Sequence, residues 1–421
     1  MHDFNLLPTL LTIAGVVGVI LGSTAFLIYV ERKVAAYIQD RLGPNRVGPA
    51  GLFQSIADGL KFLFKEEIVP HHVDKFLYIL APGVALSTAL LAFAVVPFGA
   101  TAPAPPPPEK LALATAPEQK KQYEAARAKF EDEFKRYKDS YQFVVAPGLD
   151  IGIVWVFAIS SLAVYGVILG GWAGNNKYSF LGALRSSAQI VSYEIPLGMS
   201  ILGIVLLSGS LNLERIIQQQ TGSDQDWTHC WNVFYQPLAF LLFMISSFAE
   251  CNRLPFDLSE AEQELVGGYH TEYSAMKFAM FFLGEYTHMI TTSFLMVILF
   301  FGGWHLPFIA TADAGWFLKL IVFAGKMAFF IFFYMLIRWT IPRFRFDQLM
   351  ALAWKVFIPL ALANLVCVMI VKQMNWTPWL LLPASLVLLV GAGCLAALPE
   401  PQGRPRRPSL QGQREAEMVG R

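Results

Sequence analysis

The sequence has 421 residues, of which 55% are hydrophobic and only 15% charged, and its mean hydropathy is +0.48. A soluble chain of this length needs more charged residues to cover its surface, so the composition excludes a soluble multidomain protein. The formal net charge of +1 does not indicate a polyanionic partner such as nucleic acid. The four cysteines lie far apart without a C-x-x-C motif, which argues against an iron–sulfur, zinc or disulfide framework in this chain.

Apolar runs along the chain predict membrane-spanning helices, each of which needs about 20 residues to cross the hydrocarbon core. The first run lacks a basic n-region and a cleavage site, so we interpret it as a retained span and not as a signal peptide. We therefore predict an all-α, polytopic membrane protein with about nine transmembrane helices. The predicted spans cover residues 5–30, 76–98, 148–171, 190–209, 235–250, 278–303, 316–338, 350–371 and 378–398.

The distribution of positive charge predicts the orientation of these spans. Outside one long insertion, most of the 32 Lys and Arg residues follow spans one, three, five, seven and nine. Loops rich in Lys and Arg stay in the cytoplasm. We therefore expect the N-terminus outside and the Arg-rich C-terminus in the cytoplasm, which requires an odd number of spans.

The loops and spans divide the chain into five predicted segments. The outer insertion begins with a Pro-rich run and continues with aromatic residues at helical spacing, which predicts an amphipathic helix without evident chemistry. The C-terminal tail is predicted to be disordered. The segments are 1–99 with the first two spans and their cytoplasmic loop, the outer insertion 100–146, a bundle 147–371 with an acidic cytoplasmic loop 250–277, a ninth span 372–398 and the tail 399–421.

The cytoplasmic loop after span one contains the turn GPNRVGP between basic residues. Its Gly and Pro residues fix the shape of the backbone, which a simple basic anchor at the membrane surface does not require. An apolar helical face follows and carries charged residues, which predicts an amphipathic helix at the interface. The charged candidates of this loop are Arg32, Arg41, Arg46, Asp58 and Lys61.

The acidic loop after span five has more carboxylates than counter-charges. Only Arg253 and His270 are available to balance them. Crowded carboxylates raise the pKa of at least one member, and a carboxylate that titrates near neutral pH can relay protons. Helix capping is the alternative interpretation, mainly for Asp257 and for the pair Ser259 and Glu262. The carboxylates are Glu250, Asp257, Glu260, Glu262, Glu264 and Glu272.

Ionisable residues also occur inside the predicted spans. Glu194 lies in span four, Glu285 and His288 share a face of span six, and Lys326 lies in the middle of span seven. A charge at the bilayer centre costs about 2.5–3.5 kcal/mol, so these groups should face a protein interior, a partner or water. Ion pairs that only orient the helices are the alternative to a path for protons.

Long motifs make the chain similar to a known family. The segments ERKVAAYIQDRLGPNRVGP, AECNRLPFDLSEAEQELVGGYHTEY and PRFRFDQLMALAWK, with GALRSSAQIVSYE between them, closely resemble the H-subunit family of proton-pumping NADH:quinone oxidoreductase, respiratory complex I. In mitochondria this is the NADH dehydrogenase subunit 1 family. The long outer insertion and the Arg-rich tail depart from the common family pattern.

The resemblance implies a membrane subunit that forms most of a quinone tunnel and couples quinone reduction to proton translocation. It implies that the quinone is a substrate, and that NADH, FMN and the iron–sulfur clusters are bound by partner subunits. The implied partners are iron–sulfur and quinone-site subunits of the hydrophilic arm, small membrane subunits and antiporter-like subunits, and the implied location is the bacterial inner membrane. The implied tunnel residues are Arg32, Arg41, Arg46, Asp58, Lys61, Arg185, Arg253, Arg343, Arg345 and Asp347, and the implied proton-relay residues are Glu194, Glu250, Asp257, Glu260, Glu262, Glu264, Glu272 and Glu285.

Three other functions remain open at this point. The corresponding membrane subunit of an energy-converting hydrogenase would share much of the pattern. A stand-alone ion transporter would place its acidic residues at the midplane, whereas here they gather at the cytoplasmic edge. An inert anchor for a peripheral enzyme would leave Glu194, Glu285 and Lys326 without a role.

Overall fold

The structure is a computed structural model that describes residues 6–96, 117–139, 145–146, 149–221, 230–258, 266–307, 309–310 and 315–397. The predicted tail 399–421 and residues 100–116 of the insertion lie outside these ranges. The described part is all-helical apart from one isolated bridge between Leu306 and Ala310. The helices are α1 Leu6–Ile38, α2 Gln54–Phe64, α3 Lys75–Leu91, α4 Pro117–Asp139, α5 Gly152–Ala173, α6 Lys177–Ser208, α7 Leu213–Thr221, α8 Asn232–Tyr235, α9 Pro237–Glu250, α10 Ala275–Phe300, α11 Trp316–Thr340, α12 Phe346–Leu352, α13 Ile358–Gln373 and α14 Leu381–Ala397.

Among the described residues, seven helical segments are long and apolar enough to cross a membrane. They correspond to predicted spans one to four and six to eight. Predicted spans five and nine correspond to shorter apolar helices, Pro237–Glu250 and Pro378–Cys394. The all-α, multi-pass architecture is therefore confirmed. The amphipathic helix predicted after the GPNRVGP turn is confirmed as α2, and the helix of the insertion as α4.

Two predicted span boundaries were wrong. Helix α1 continues to Ile38 and not only to residue 30, because the segment after its apolar run contains no Gly or Pro before the turn. Helix α6 begins at Lys177 and not at residue 190, because the Asn176 side chain accepts from the backbone N–H of Tyr178 at 3.1 Å and caps it. Polar residues that were assigned to loops, such as Arg32 and Arg185, therefore lie on helices.

Helix α10 is the centre of the bundle. Every residue from 286 to 300 is buried, including the polar side chains of His288, Thr291 and Ser293. Contacts to α1, α3, α9 and α11 surround it. The side chains of residues 286–300 therefore face protein, and Glu285 and His288 lie in the interior of the subunit.

The end of the acidic loop is fixed against α6 and α3. Gly182 on α6 lies so close to the loop that an added Cβ would be 2.8 Å from the Cα of Gly268. The ring of Tyr273 stacks on that of Tyr78 with 4.3 Å between centroids, and the Tyr78 hydroxyl donates to the carbonyl of Glu272 at 2.7 Å. This packing determines where the loop enters α10.

Candidate functional site

A buried ion-pair network joins α1, α10 and the segment after α9. Arg253 donates from Nη1 to Glu31 Oε2 at 2.7 Å and from Nε to Glu285 Oε1 at 2.6 Å. Arg253 is 4% exposed and Glu31 is 5% exposed. Charges removed from water to this degree are tolerated when they are paired and hydrogen-bonded. One arginine thus connects a carboxylate of the first helix with a carboxylate of the central helix.

Two further side chains complete this cluster. The Tyr286 hydroxyl donates to Glu31 Oε2 at 2.8 Å, and the Arg253 guanidinium lies 4.2 Å from the centroid of the Tyr286 ring. Arg338, in the last turn of α11, forms a second ion pair with Glu31. Two arginines therefore balance two carboxylates. We call Glu31, Arg253, Glu285, Tyr286 and Arg338 the Glu31 network.

Arg253 remains positively charged in this environment. Burial by itself lowers the pKa of Arg253, but the negative charges of Glu285 and Glu31 outweigh burial and raise the pKa well above its usual value. The guanidinium is therefore a permanent positive charge between two carboxylates. A proton that enters the network has to be carried by other groups.

A cavity of about 70 Å³ with a mainly apolar wall adjoins the Glu31 network. Its wall includes Glu285, His288, Glu250 and Asn252. One water molecule needs about 10–15 Å³ by the same measure, so the cavity has room for several. His288 Nε2 lies 3.0 Å from Glu250 Oε1. Glu285 belongs both to the network and to the cavity wall, so the two are continuous.

Glu194 extends the row of carboxylates onto α6. It is half-buried, and its charge interacts with that of Glu250 at the end of α9. The structure therefore brings the three predicted intramembrane and membrane-edge carboxylates, Glu194, Glu250 and Glu285, to the same region of the bundle.

The loop between α11 and α12 contacts the acidic loop, where Phe344 N–H donates to the carbonyl of Pro255 at 3.2 Å. Arg343 Nη2 donates to Asp257 Oδ2 at 2.9 Å. The Arg185 guanidinium lies 5.8 Å from the centroid of the Phe346 ring, so α6 also contacts the start of α12. Arg345 and Asp347 are exposed.

The loop after α1 presents most of its charges to the exterior. Arg32 on α1 forms an ion pair with Asp58 on α2, and the Gln54 amide donates to Asp58 at 3.2 Å. Arg41, Arg46 and Lys61 are exposed and are not brought together with the Glu31 network.

The turn in this loop has the fixed shape that its glycines predicted. Gly43 and Gly48 have φ values of +64° and +73°, which side chains rarely adopt. The Tyr29 hydroxyl donates to the carbonyl of Ala50 at 2.9 Å and fastens the turn to α1.

His270, one of the two possible counter-charges of the acidic loop, lies among aromatic rings. Its ring packs edge-on against Tyr269 and Phe278. Burial lowers the pKa of His270 to about 4, so the imidazole is neutral at physiological pH. Glu272 is instead satisfied by the Asn176 side-chain amide, which donates to Glu272 Oε1 at 2.8 Å. The aromatic surroundings of His270 therefore disfavour it as one of the two possible counter-charges of the acidic loop.

Three of the predicted relay carboxylates, Glu260, Glu262 and Glu264, lie outside the described residues, and so does the predicted capping residue Ser259. Within the ranges that the structure describes, no group of three or more His, Cys, Asp and Glu residues is arranged to hold a metal ion.

An apolar cleft of about 830 Å³ lies between α1 and α11 above the central helix. Its wall runs from Ile20 and Phe323 to Val30 and Met335. Ser23 is its only polar lining residue among those described. Val30 directly precedes Glu31, and Met335 lies just before the final turn of α11. The cleft therefore leads from the apolar part of the bundle toward the Glu31 network.

Comparison with known proteins identifies the family. A profile of the family described as NADH dehydrogenase matches residues 11–369. The chain belongs to this family.

Curated relatives of the family support the same assignment. An H subunit of NADH-quinone oxidoreductase from Cytophaga hutchinsonii is 44% identical over 342 residues, which cover 80% of this chain and 89% of that protein. The H subunit of Leptospira biflexa is 46% identical over 346 residues, covering 81% and 88%. An H subunit of Koribacter versatilis is 44% identical over 364 residues, covering 86% and 95%.

Family membership confirms the resemblance that the motifs indicated. The protein is a multi-pass membrane subunit of proton-translocating NADH-quinone oxidoreductase, and it acts with the other subunits of that complex. The family implies that NADH, FMN and iron–sulfur clusters are held by partner subunits. The names of the relatives also favour this enzyme over an energy-converting hydrogenase.

Sequence reasoning missed several residues of the buried site. Glu31 entered the sequence analysis only as the first residue of the ERKVAAYIQDRLGPNRVGP motif, and Arg338 and Tyr286 were not singled out. His288 was grouped with Glu194, Glu285 and Lys326 as either a path for protons or a set of ion pairs, but it was not named among the relay residues. Glu31 is separated from Arg253 by 222 positions, so no local spacing joins them. An available signal was that Glu31 and Arg338 lie at those ends of predicted spans one and seven that are expected on the same side of the membrane.

Proposed function

We propose that this chain forms most of the wall of a quinone tunnel and couples quinone reduction to proton translocation through its buried carboxylates. The observation that carries the proposal is the continuity of the Glu31 network with the adjoining cavity, because Glu285 belongs to both. Buried carboxylates beside a space for water are the groups that a proton relay needs.

The apolar cleft between α1 and α11 supports an approach of the quinone from the lipid. A quinone has an apolar tail and a polar ring. The cleft is lined almost entirely by apolar side chains, and it leads toward Glu31 and its arginines. This polarity matches a molecule whose tail stays in the membrane while its ring moves to the cytoplasmic edge.

The basic residues of the cytoplasmic side would stabilise the reduced ring. Electrons from a partner's iron–sulfur cluster give the quinone negative charge, and a fixed arginine lowers the energy of that charge. Because Arg41, Arg46 and Lys61 are exposed in this chain, partner subunits of the hydrophilic arm would complete the tunnel around them. Residues proposed to line or brace the tunnel are Arg32, Arg41, Arg46, Asp58, Lys61, Arg185, Arg253, Arg343, Arg345 and Asp347.

The same negative charge would draw protons onto nearby carboxylates. The acidic loop would provide the first acceptors, and Glu285, Glu250 and Glu194 would lead onward to the antiporter-like subunits. The Glu31 network is charge-balanced at rest, so a proton that is added to one of its carboxylates leaves an arginine without its partner. The arginine left without its partner transmits the effect of this protonation to neighbouring groups of the bundle. The acceptors proposed in the loop are Asp257, Glu260, Glu262, Glu264 and Glu272.

The proposed setting is the bacterial inner membrane. We propose nine crossings, with the N-terminus outside and the tail in the cytoplasm. The two shorter apolar helices, Pro237–Glu250 and Pro378–Cys394, would then count as crossings. The proposed neighbours are iron–sulfur and quinone-site subunits of the hydrophilic arm, small membrane subunits and antiporter-like subunits.

The variant Glu285→Gln tests the proposal in assembled complex. It keeps the size of the side chain but removes the carboxylate shared by the network and the cavity. We expect quinone reduction by NADH and proton uptake into inverted membrane vesicles to fall together. NADH oxidation by an artificial acceptor that bypasses the quinone would stay normal.

A matched control is Glu131→Gln, which removes a carboxylate from an exposed ion pair with Arg127 on α4. The control should behave as wild type. Normal quinone reduction and normal proton uptake in Glu285→Gln would refute the coupling role.

A further inference from the structure

His288 lies beside the proposed proton path, but the functions above do not use it. It follows Glu285 by three residues on α10, so the two side chains share a helical face. His288 is 9% exposed, and it lines the same cavity as Glu285. Its Nε2 is 3.0 Å from Glu250 Oε1, whereas Glu285 contacts Arg253. The imidazole therefore stands between the Glu31 network and Glu250.

The chemistry of imidazole suits this position. Each ring nitrogen can hold a proton, and a histidine can accept a proton at one nitrogen while it releases the proton of the other. A glutamine or asparagine at the same place donates a hydrogen bond but carries no exchangeable extra proton. The cavity offers room for the water that would connect the ring to Glu285.

We propose that His288 is a proton-transfer residue that connects Glu285 to Glu250. This inference rests on the proposed coupling function. A proton from the Glu285 side of the cavity binds the free ring nitrogen, and the proton on Nε2 passes to the Glu250 carboxylate. The ring is then neutral again in its other tautomer, and reorientation resets it. One proton enters and one leaves, and no electrons move.

The substitution His288→Gln separates this role from a purely structural one. Glutamine keeps an N–H in about the position of Nε2, so a histidine that only donates to Glu250 would be replaced without loss. For a proton-transfer residue, we expect assembled complex whose proton-coupled quinone reduction falls by about 100-fold, the lower end of what a positioned proton-transfer group contributes.

Thr291→Val is the matched control. Thr291 lies one turn further along α10, is buried, and donates to the carbonyl of Thr287 at 3.0 Å, but it does not line the cavity. This variant should pump as wild type. Wild-type turnover and proton uptake in His288→Gln, or an equal loss in Thr291→Val, would overturn the role of His288.

A third variant distinguishes failure of this inference from failure of the proposed function. If Glu285→Gln loses pumping while His288→Gln pumps normally, the coupling function stands and the histidine is structural. If both pump normally, the coupling function itself fails.

Infrared spectroscopy provides a second measurement if His288→Gln does not assemble. In wild-type complex with isotopically labelled histidine, quinone reduction should change a histidine band. A difference spectrum without any labelled histidine band would overturn the proposal.

Discussion

Arg253 Nη1 lies 2.7 Å from Glu31 Oε2, although 222 residues separate the two along the chain. The same guanidinium contacts Glu285 on the central helix. The first helix, the acidic loop and the centre of the bundle therefore meet at one positive charge. A change at this arginine should alter stability as well as coupling.

The variant Arg253→Leu should be strongly destabilised. It leaves the buried carboxylates of Glu31 and Glu285 without their shared partner, and breaking a buried ion pair on one side costs about 3–5 kcal/mol. The apparent unfolding temperature of the purified complex and the yield of assembled enzyme would both fall.

Arg127→Leu is the control for this prediction. It also removes an arginine from a pair with a glutamate, but both side chains are exposed, and such pairs contribute about 0–1 kcal/mol. If the two variants unfolded at the same temperature, Arg253 would not hold the bundle together.

The variant Arg41→Ala should weaken quinone or tunnel-inhibitor binding. Arg41 is exposed beside the rigid glycine turn, where a partner subunit would enclose it. A hydrogen bond to a charged group contributes about 1.5–3 kcal/mol, so we expect the inhibitor concentration for half-inhibition to rise about tenfold or more. Lys129→Ala on the exposed face of α4 is the control. Wild-type inhibitor sensitivity in Arg41→Ala would remove this residue from the site.

The sequence predicted the parts of the site that carry a local signal. A charge within an apolar run is conspicuous, and Glu194 and Glu285 were found in this way. The glycines of the turn were recognised because few other residues allow the backbone to bend there. The order of the spans and the amphipathic helix α2 followed from hydropathy.

The remaining features depend on tertiary contacts. Which arginine reaches Glu31 depends on how α11 packs against α1, and nothing in the spacing of Arg338 specifies it. His270 looked like a counter-charge because its neighbours in sequence are acidic, but its neighbours in space are Tyr269 and Phe278. Burial, and not the local sequence, decided the charge of this side chain.

The buried state of His270 predicts a loss of stability in acid. Its pKa is about 4 in the folded chain and about 6.5 when unfolded. Below about pH 6.5 the unfolded chain binds a proton at His270 that the folded chain does not bind. The folded state is therefore destabilised as the pH falls from about 6.5 to about 4, by about 3 kcal/mol in total. His270→Phe removes the titration, so its unfolding temperature should decrease less than that of wild type over this pH range. His71→Phe, at an exposed site, should follow the wild type. If the unfolding temperatures of wild type and His270→Phe fell equally with decreasing pH, this account would be contradicted.

Lys326 should matter for stability and not for proton transfer. All three of its ammonium hydrogens are used, because Nζ donates to the carbonyls of Phe301, Gly303 and His305 at 2.6, 3.0 and 2.6 Å. The ammonium also lies 4.5 Å from the centroid of the Trp231 ring. It thereby caps the carboxyl end of α10 and holds the loop that follows.

Lys326→Met should lower the stability of the complex by about 3 kcal/mol or more, because several buried carbonyls lose a charged donor. Molecules that assemble should translocate a normal number of protons per electron. Lys372→Met, which removes an exposed lysine that donates to a single carbonyl, should have a smaller effect on stability. A lower ratio of protons to electrons in Lys326→Met would place this lysine on the proton path.

Removal of residues 103–140 should leave turnover near the wild-type level. This segment includes α4, whose described side chains are mostly exposed. The Glu31 network is built from α1, α10, α11 and the segment after α9, and the cavity beside it is lined by residues of α3, α5, α6, α9, α10 and the acidic loop. Among the described residues, no side chain of these two features comes from the insertion. We expect NADH-driven quinone reduction within about twofold of wild type once the amount of assembled complex is measured, since changes at exposed sites usually alter stability by less than about 0.5 kcal/mol.

A companion variant that replaces residues 117–139 with a Gly/Ser chain of equal length would keep the connection between α3 and α5 while removing the helix. Loss of turnover in both fully assembled variants would mean that the insertion takes part in catalysis, whereas loss in the deletion alone would trace the defect to the shortened connection.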